Sequence, residues 1–187
     1  MKCLTLMAAG SILALGACNK TDTSATDNGS NVAMTDEAST NTTETNASAG
    51  ATVDSAFITE AMQGDNGEVA IGQLAQTKGT SQKVKDFGKL LVDDHGAHRQ
   101  ELKTLAAASG VSTTDEPTPE AKANLDKLKG LSGAEFDKQF KSMMIEDHTK
   151  DIAKYEKQAS SGDAQTAALA KKTLPTLRKH LETANAL

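Results

Sequence analysis

The chain has 187 residues, enough for one ordinary domain with additional segments. It has no tryptophan, one tyrosine and four phenylalanines, so a core must be built from Leu, Ile, Val, Met and Ala, the usual material of helical bundles. The formal charge is −5, and from Asp54 onward 18 basic residues face 20 acidic ones with no basic stripe, which argues against nucleic acid as a partner.

The N-terminus reads MKCLTLMAAGSILALGAC. Lys2 supplies the positive end of an export signal, and Leu4 to Ala17 form an apolar run too short to span a bilayer as a stable mature helix. Both cysteines, Cys3 and Cys18, fall in this stretch, so neither a disulfide framework nor a cysteine zinc cluster is expected. Leu15-Gly16-Ala17-Cys18 resembles a bacterial lipobox. The resemblance implies a signal peptide over residues 1–17 and a lipid anchor on Cys18 that holds the chain on a membrane without a transmembrane helix. Lys20 two positions after Cys18, instead of Asp, implies an outer-membrane destination under the sorting rule of enteric bacteria, with the domain facing the periplasm.

Residues 18–53 then read as a tether. Between Asn19 and Val53, 18 of 35 residues are Thr, Ser or Asn and none is aromatic, too little apolar surface to offset the entropy of ordering. As a flexible coil its reach is on the order of 30 Å.

From Asp54 to Leu187 the hydrophobic period is helical. Gly79, Gly110, Gly130 and Gly162 mark helix ends, whereas Thr118-Pro119, Ser132 and Asp163 mark starts. Four long helices are predicted over 55–78, 81–109, 133–160 and 163–185, with a shorter one over 119–129. Ser132-Gly133-Ala134-Glu135 matches a capping box. Pro175 is expected to kink or restart the last helix, and Gly64, Gly67 and Gly72 to weaken the first. Short turns pair the helices into two hairpins, and the longer connection through Pro117 and Pro119 joins them. The expected fold is an all-α, ferritin-like antiparallel four-helix bundle.

The inward stripes carry polar residues. Val84, Gly88, Leu91, His95, His98, Leu102 and Leu105 follow a continuous 4-3 spacing, with Asp94 beside them. Phe140, Met144, His148, Ile152 and Tyr155 do the same, flanked by Asp147 and Asp151. Leu174, Leu177, Leu181 and Ala184 put His180 on the stripe's edge, nearer its helix end, and Phe57, Ala61, Glu68, Ile71 and Ala75 make Glu68 an inward carboxylate. All four histidines thus lie on or beside the core, where polar groups need partners.

The segments LLVDDHGAHRQELKTLA, IEDHTKDIAKYEKQA and LPTLRKHLETA resemble the signature stretches of domain-of-unknown-function family 4142, over about Asp54 to Leu187. That family comprises bacterial envelope proteins with a ferritin-like bundle, commonly labelled as outer-membrane proteins. The resemblance implies fold and compartment and brings no enzymatic activity with it.

Ferritin-like di-iron proteins use Glu-x-x-His motifs, and this chain has none. Its candidate ligands are Glu68, His95, His98, His148 and His180, with Asp94, Asp147 and Asp151 as alternative ligands or as acceptors that orient the rings. This set suits one zinc, copper, nickel or iron ion better than a di-iron centre. Met143 and Met144 are read as core filling, and Tyr155 as packing with its hydroxyl partnered. The same residues also read as a hydrogen-bonded network that fixes helix register without metal.

Three functions follow from the sequence. The first is a non-catalytic binding or envelope-stress module with a metal site, the second a metal-dependent oxidoreductase, and the third a structural or partner-binding lipoprotein without metal. No serine or threonine stands beside an inward histidine in a nucleophile motif, so a hydrolase is not expected.

Overall fold

The computed structural model describes residues 53–160 and 163–187; the export signal, Cys18, the tether up to residue 52 and Gly162 lie outside the described residues. Among the described residues there are five helices: α1 Ser55–Lys78, α2 Gln82–Ser109, α3 Pro119–Lys129, α4 Gly133–Ala159 and α5 Ala164–Asn185. Their ends lie within one residue of the predicted ones because the caps are local chemistry. Asp54, Ser81, Thr118 and Asp163 each accept a hydrogen bond from a first-turn N–H, those of Phe57, Val84, Ala121 and Gln165. These N–H groups have no helical carbonyl to meet. Gly110 closes α2 at φ 67, a left-handed step that costs glycine little.

Two local expectations change. The capping box at Ser132 does not form: Gly133 enters α4 at φ 62, and the Ser132 side chain accepts nothing from the first turn. Asp137 secures that corner instead, its two carboxylate oxygens accepting from the backbone N–H groups of Thr80 and Ser81 at 2.9 Å each. Pro175 does not restart α5, which runs through it. The residue is exposed, so solvent can meet the Lys171 carbonyl that loses its helical donor.

The chain forms two antiparallel hairpins, α1 with α2 and α4 with α5. α4 begins at the α1–α2 turn, where Asp137 binds Thr80 and Ser81, and α5 begins beside the start of α1, where the Asp54 N–H donates to Asp163 at 2.8 Å. α3 therefore carries the chain back along the bundle, and it packs on α1 and α4. Asn66 pins the approach to it, donating to the carbonyls of Thr114 and Glu116. The result is an all-helical, ferritin-like four-helix bundle with one crossover.

The core is divided. Phe57, Ile58, Met62, Leu102, Tyr155, Leu174 and Leu177 belong to one apolar cluster. Ile71, Phe87, Leu91, Leu128, Phe136, Phe140 and Met144 belong to another. Except for Gln158 and Thr166, which bond each other near the α4–α5 turn, the buried polar residues of each long helix fall between the two: Asp65, Asn66 and Glu68 on α1, His95 and His98 on α2, His148 on α4, His180 on α5. A polar belt crosses the bundle where its four stripes meet.

The glycines of α1 allow close approach, so the weakness expected of that helix is offset by packing. A Cβ added to Gly72 would stand 2.7 Å from the Gly88 carbonyl oxygen, and one added to Gly88 would stand 2.6 Å from the Gly72 carbonyl oxygen. Backbone cannot yield as a side-chain tip can. Gly88→Ala should therefore destabilise the domain, because overpacking costs about 1–3 kcal/mol and alanine returns only about 1 kcal/mol of helix propensity. Gly64 has nothing within 4 Å of an added Cβ, and Gly64→Ala should stabilise by about 0.5–1 kcal/mol. Urea unfolding of the two variants should shift in opposite directions; a shared direction would show that the α1–α2 crossing is not as tight as described.

Candidate metal centre

Four helices deliver six acid or imidazole side chains to the belt. Asp65, Glu68, His95 and His98 are nine-tenths or more buried, and His148 and His180 are wholly so. The ring centroids of His95, His148 and His180 form a triangle with sides of 5.1, 5.2 and 5.8 Å. Phe87 packs beneath two of these rings, 6.3 Å from His148 and 6.0 Å from His180.

Hydrogen bonds fix which nitrogen of each ring points inward. His95 Nδ1 donates to Asp65 Oδ1 and His98 Nδ1 to Asp65 Oδ2, both at 2.8 Å. His148 Nδ1 donates to the Met144 carbonyl one turn back at 3.0 Å, and His180 Nε2 donates to Asp94 Oδ2 at 2.8 Å. Carboxylate and carbonyl oxygens only accept, so each of these nitrogens carries its ring's proton. In the neutral rings the lone pairs then sit on His95 Nε2, His98 Nε2, His148 Nε2 and His180 Nδ1.

One nitrogen from each of His95, His148 and His180 lies within 4.8 Å of the other two. His148 Nε2 and His180 Nδ1 are 3.1 Å apart. Two lone pairs at that distance repel unless a proton or a cation lies between them. Nitrogens bound to one tetrahedral ion at about 2.0–2.1 Å stand roughly 3.3 Å apart, so this pair already has the separation of two ligands. Glu68 stands beside the set: Oε2 lies against His95 Nε2, and Oε1 is 3.6 Å from His148 Nδ1, the nitrogen engaged with Met144. Glu68 Oε2 and His95 Nε2, in contact and shut off from water, need a proton or a cation between them. Buried lone pairs converging without donors are the arrangement that a cation satisfies.

The charges are interdependent. Burial pushes the Glu68 carboxyl up, but His148, His95 and His180 together outweigh it and bring it down to about 2. Burial likewise works against a proton on His95, yet the charge of Glu68 and the hydrogen bond of Asp65 prevail and raise it well above the usual imidazole range. His180 goes the other way, lowered to about 4 by burial and by the charges of His95 and His148, against the pull of Asp94.

The structure sorts the residues expected from the sequence. It unites His95, His148, His180 and Glu68, and gives Asp94 the role of orienting His180. His98 stands outside the inner group, held by the same Asp65 and 5.8 Å from the Tyr155 ring. Asp147 and Asp151 bond to no ring; they line a separate cavity between α1, α3 and α4. There Asp147 is raised to about 7 by burial and by the charges of Glu68 and Asp151. His180 is central, not peripheral: it is fully buried, while Leu181, expected on the stripe, is only half-buried. Its position near the end of α5 still reaches the belt, because beyond it only Ala184, and Leu187 past the helix end, join the apolar cluster. Asp65 was missed, although its spacing of four from Ala61 and three to Glu68 continues the α1 stripe. Leu105 and Ile152 are partly buried, and Ala106 and Met143 take core places.

The fold and the belt together define a ferritin-like helical bundle with a buried cluster of three imidazoles and one carboxylate. The chain belongs to the family described as Domain of unknown function (DUF4142), which matches residues 39–187. Comparison with curated proteins gives no match. Among solved structures the chain is similar to a DUF305 fragment from Deinococcus radiodurans, with 14% identity, a TM-score of 0.63, and coverage of 71% of this chain and 92% of that one. At such identity the likeness establishes the fold alone.

Proposed function

We propose that the protein is a metal-binding module of the bacterial envelope, holding one zinc, copper, nickel or iron ion between His95, His148, His180 and Glu68. The observation that carries this reading is the direction of the rings. Each of the three imidazoles gives its N–H to an outer acceptor, so His148 Nε2 and His180 Nδ1 face each other as two lone pairs at 3.1 Å, while His95 turns Nε2 onto the Glu68 carboxylate. A satisfied network would place a donor between that facing pair. With four protein donors the ion has a closed coordination shell, which suits binding or storage better than turnover. The lipobox-like residues Leu15 to Cys18 support attachment to a membrane through Cys18, on the periplasmic side. Among the described residues no helix is long and apolar enough to cross a membrane.

The test is metal content. The purified chain, dialysed against each of the four ions, should retain one equivalent of one of them and lose it in His95→Ala. No retained ion in the parent would leave the metal-free network or a partner-binding lipoprotein. Redox turnover by the loaded chain would turn the reading towards an oxidoreductase.

A pH dependence follows. His95 holds a proton at neutral pH in the metal-free protein, so the ion must displace it. The folded imidazole lies above its unfolded value, so its contribution to metal-free stability is complete below about pH 6.5 and fades as pH rises through the folded value. Metal affinity changes in the opposite sense, rising by roughly tenfold per pH unit for each proton released. Calorimetry in buffers of different ionisation enthalpy should find about one proton released per ion near pH 7; proton uptake would contradict the assignment of His95.

A further inference from the structure

We infer that His98 is an outer transfer ligand, through which a divalent transition-metal ion passes between solvent and the three inner imidazoles by way of a cleft between α2 and α5. The inference rests on the single-ion reading above and concerns the route, which that reading leaves open. The cleft has a volume of about 160 Å³, and Asp94, His95, His98, Glu101, Thr176 and His180 are among its walls. Two of the three inner imidazoles are therefore reached from it directly.

His98 is 92% buried, and its Nδ1–H is fixed on Asp65 Oδ2, yet its Nε2 has no partner. A lone pair so placed is ready to ligate, and its ring stands one helical turn from His95. The same carboxylate holds both rings, so the outer and inner nitrogens keep one relative orientation. A cation shedding water moves most easily when each new donor engages before the last one leaves. His98 supplies that intermediate donor. The one ammonium in the cleft, Lys172, is held by both oxygens of Glu101 at 2.8 Å.

The cavity on the far side, about 320 Å³ between α1, α3 and α4, is the rival route. Of the inner donors it reaches Glu68 alone, and Lys150 and Lys154 both line it. Its wall carboxylates Glu120 and Asp151 are already paired with those two lysines, and none of the three inner imidazoles lines it.

The experiment measures loading of the full-length protein with cobalt(II), followed by visible absorption after rapid mixing, and removal of the ion by excess chelator. In His98→Asn the amide nitrogen takes the place of Nδ1 and can still donate to Asp65, while the Nε2 lone pair is gone. Loading and removal should both slow by about tenfold or more, a barrier effect of that size, with one cobalt(II) still bound at equilibrium and the dissociation constant little changed. Thr176→Leu, which narrows the cleft and touches no ligand, should slow both rates in the same way. Parent rates in both variants would overturn the proposal. So would loss of cobalt(II) at equilibrium in His98→Asn, which would make His98 an inner ligand. Slowing confined to Asp147→Asn and Asp151→Asn would assign the route to the far cavity and overturn it as well. A parent chain that takes up no cobalt(II) would instead remove the single-ion reading along with its route.

Discussion

His148→Ala is expected to abolish stoichiometric metal binding and with it any thermal stabilisation by metal. His148 is wholly buried on α4, faces His180 across 3.1 Å, and is the one imidazole that this helix contributes. No other α4 side chain can replace it, since Asp147 and Asp151 face the cavity under α3. In the parent, metal at a hundred times its dissociation constant should add about 2.7 kcal/mol. For a domain of this size that is on the order of 10 °C in Tm. The variant should show none of it. Removing a ring of this volume from the core also costs the metal-free protein about 2–5 kcal/mol. His148→Gln, which fills more of the space, separates the two effects by recovering part of the stability and none of the binding. Scanning calorimetry with and without metal gives both numbers, and a metal-dependent shift retained in both variants would show that His148 is not a ligand.

Asp65→Asn should be nearly as damaging, although Asp65 touches no ion. Its two oxygens accept from two rings, which fixes both as Nδ1–H tautomers. An amide can accept with one side only; its NH₂ must meet the other ring as donor, and that ring then moves its proton to Nε2. If the ring is His95, the nitrogen meant for the ion is protonated. Loss of such an orienting acceptor costs about 10–100-fold in metal affinity. The metal-free fold also loses a support of the His95 proton, which the charge of Glu68 holds first and the Asp65 hydrogen bond second, and breaking a buried pair of this kind costs about 3–5 kcal/mol. Titration with cobalt(II) and urea unfolding measure the two losses. Unchanged affinity would mean that the rings are oriented by something other than Asp65.

Much of this architecture could be read from the chain itself. Caps are side chains within a few residues of the N–H groups they serve, so Thr118 and Asp163 marked their helix starts directly, and Asp54 and Ser81 cap in the same way. The imidazoles at 95, 98 and 148 were legible because a 4-3 apolar spacing runs straight through them. Asp65 was obscured by its neighbours: in Gly64-Asp65-Asn66-Gly67 every residue favours a turn, and that composition masks a position on the inward stripe. His180 was misplaced because Leu181 competes for the same stripe and apolar spacing alone favours leucine. What separates His98 from the inner three is the choice of hydrogen-bond partner on another helix, which spacing along one chain does not encode.

The backbones of α1 and α2 touch at Gly72 and Gly88, which makes the first hairpin a stiff pair. Asp65, Glu68, His95 and His98 all ride on it, while His148 and His180 ride on the other hairpin. A bound ion would therefore be a clasp at mid-height between two halves otherwise joined by the α3 crossover, apolar packing and a few hydrogen bonds. Anything that parts the halves opens the clasp. Ion retention thus becomes a gauge of how firmly the hairpins are pressed together.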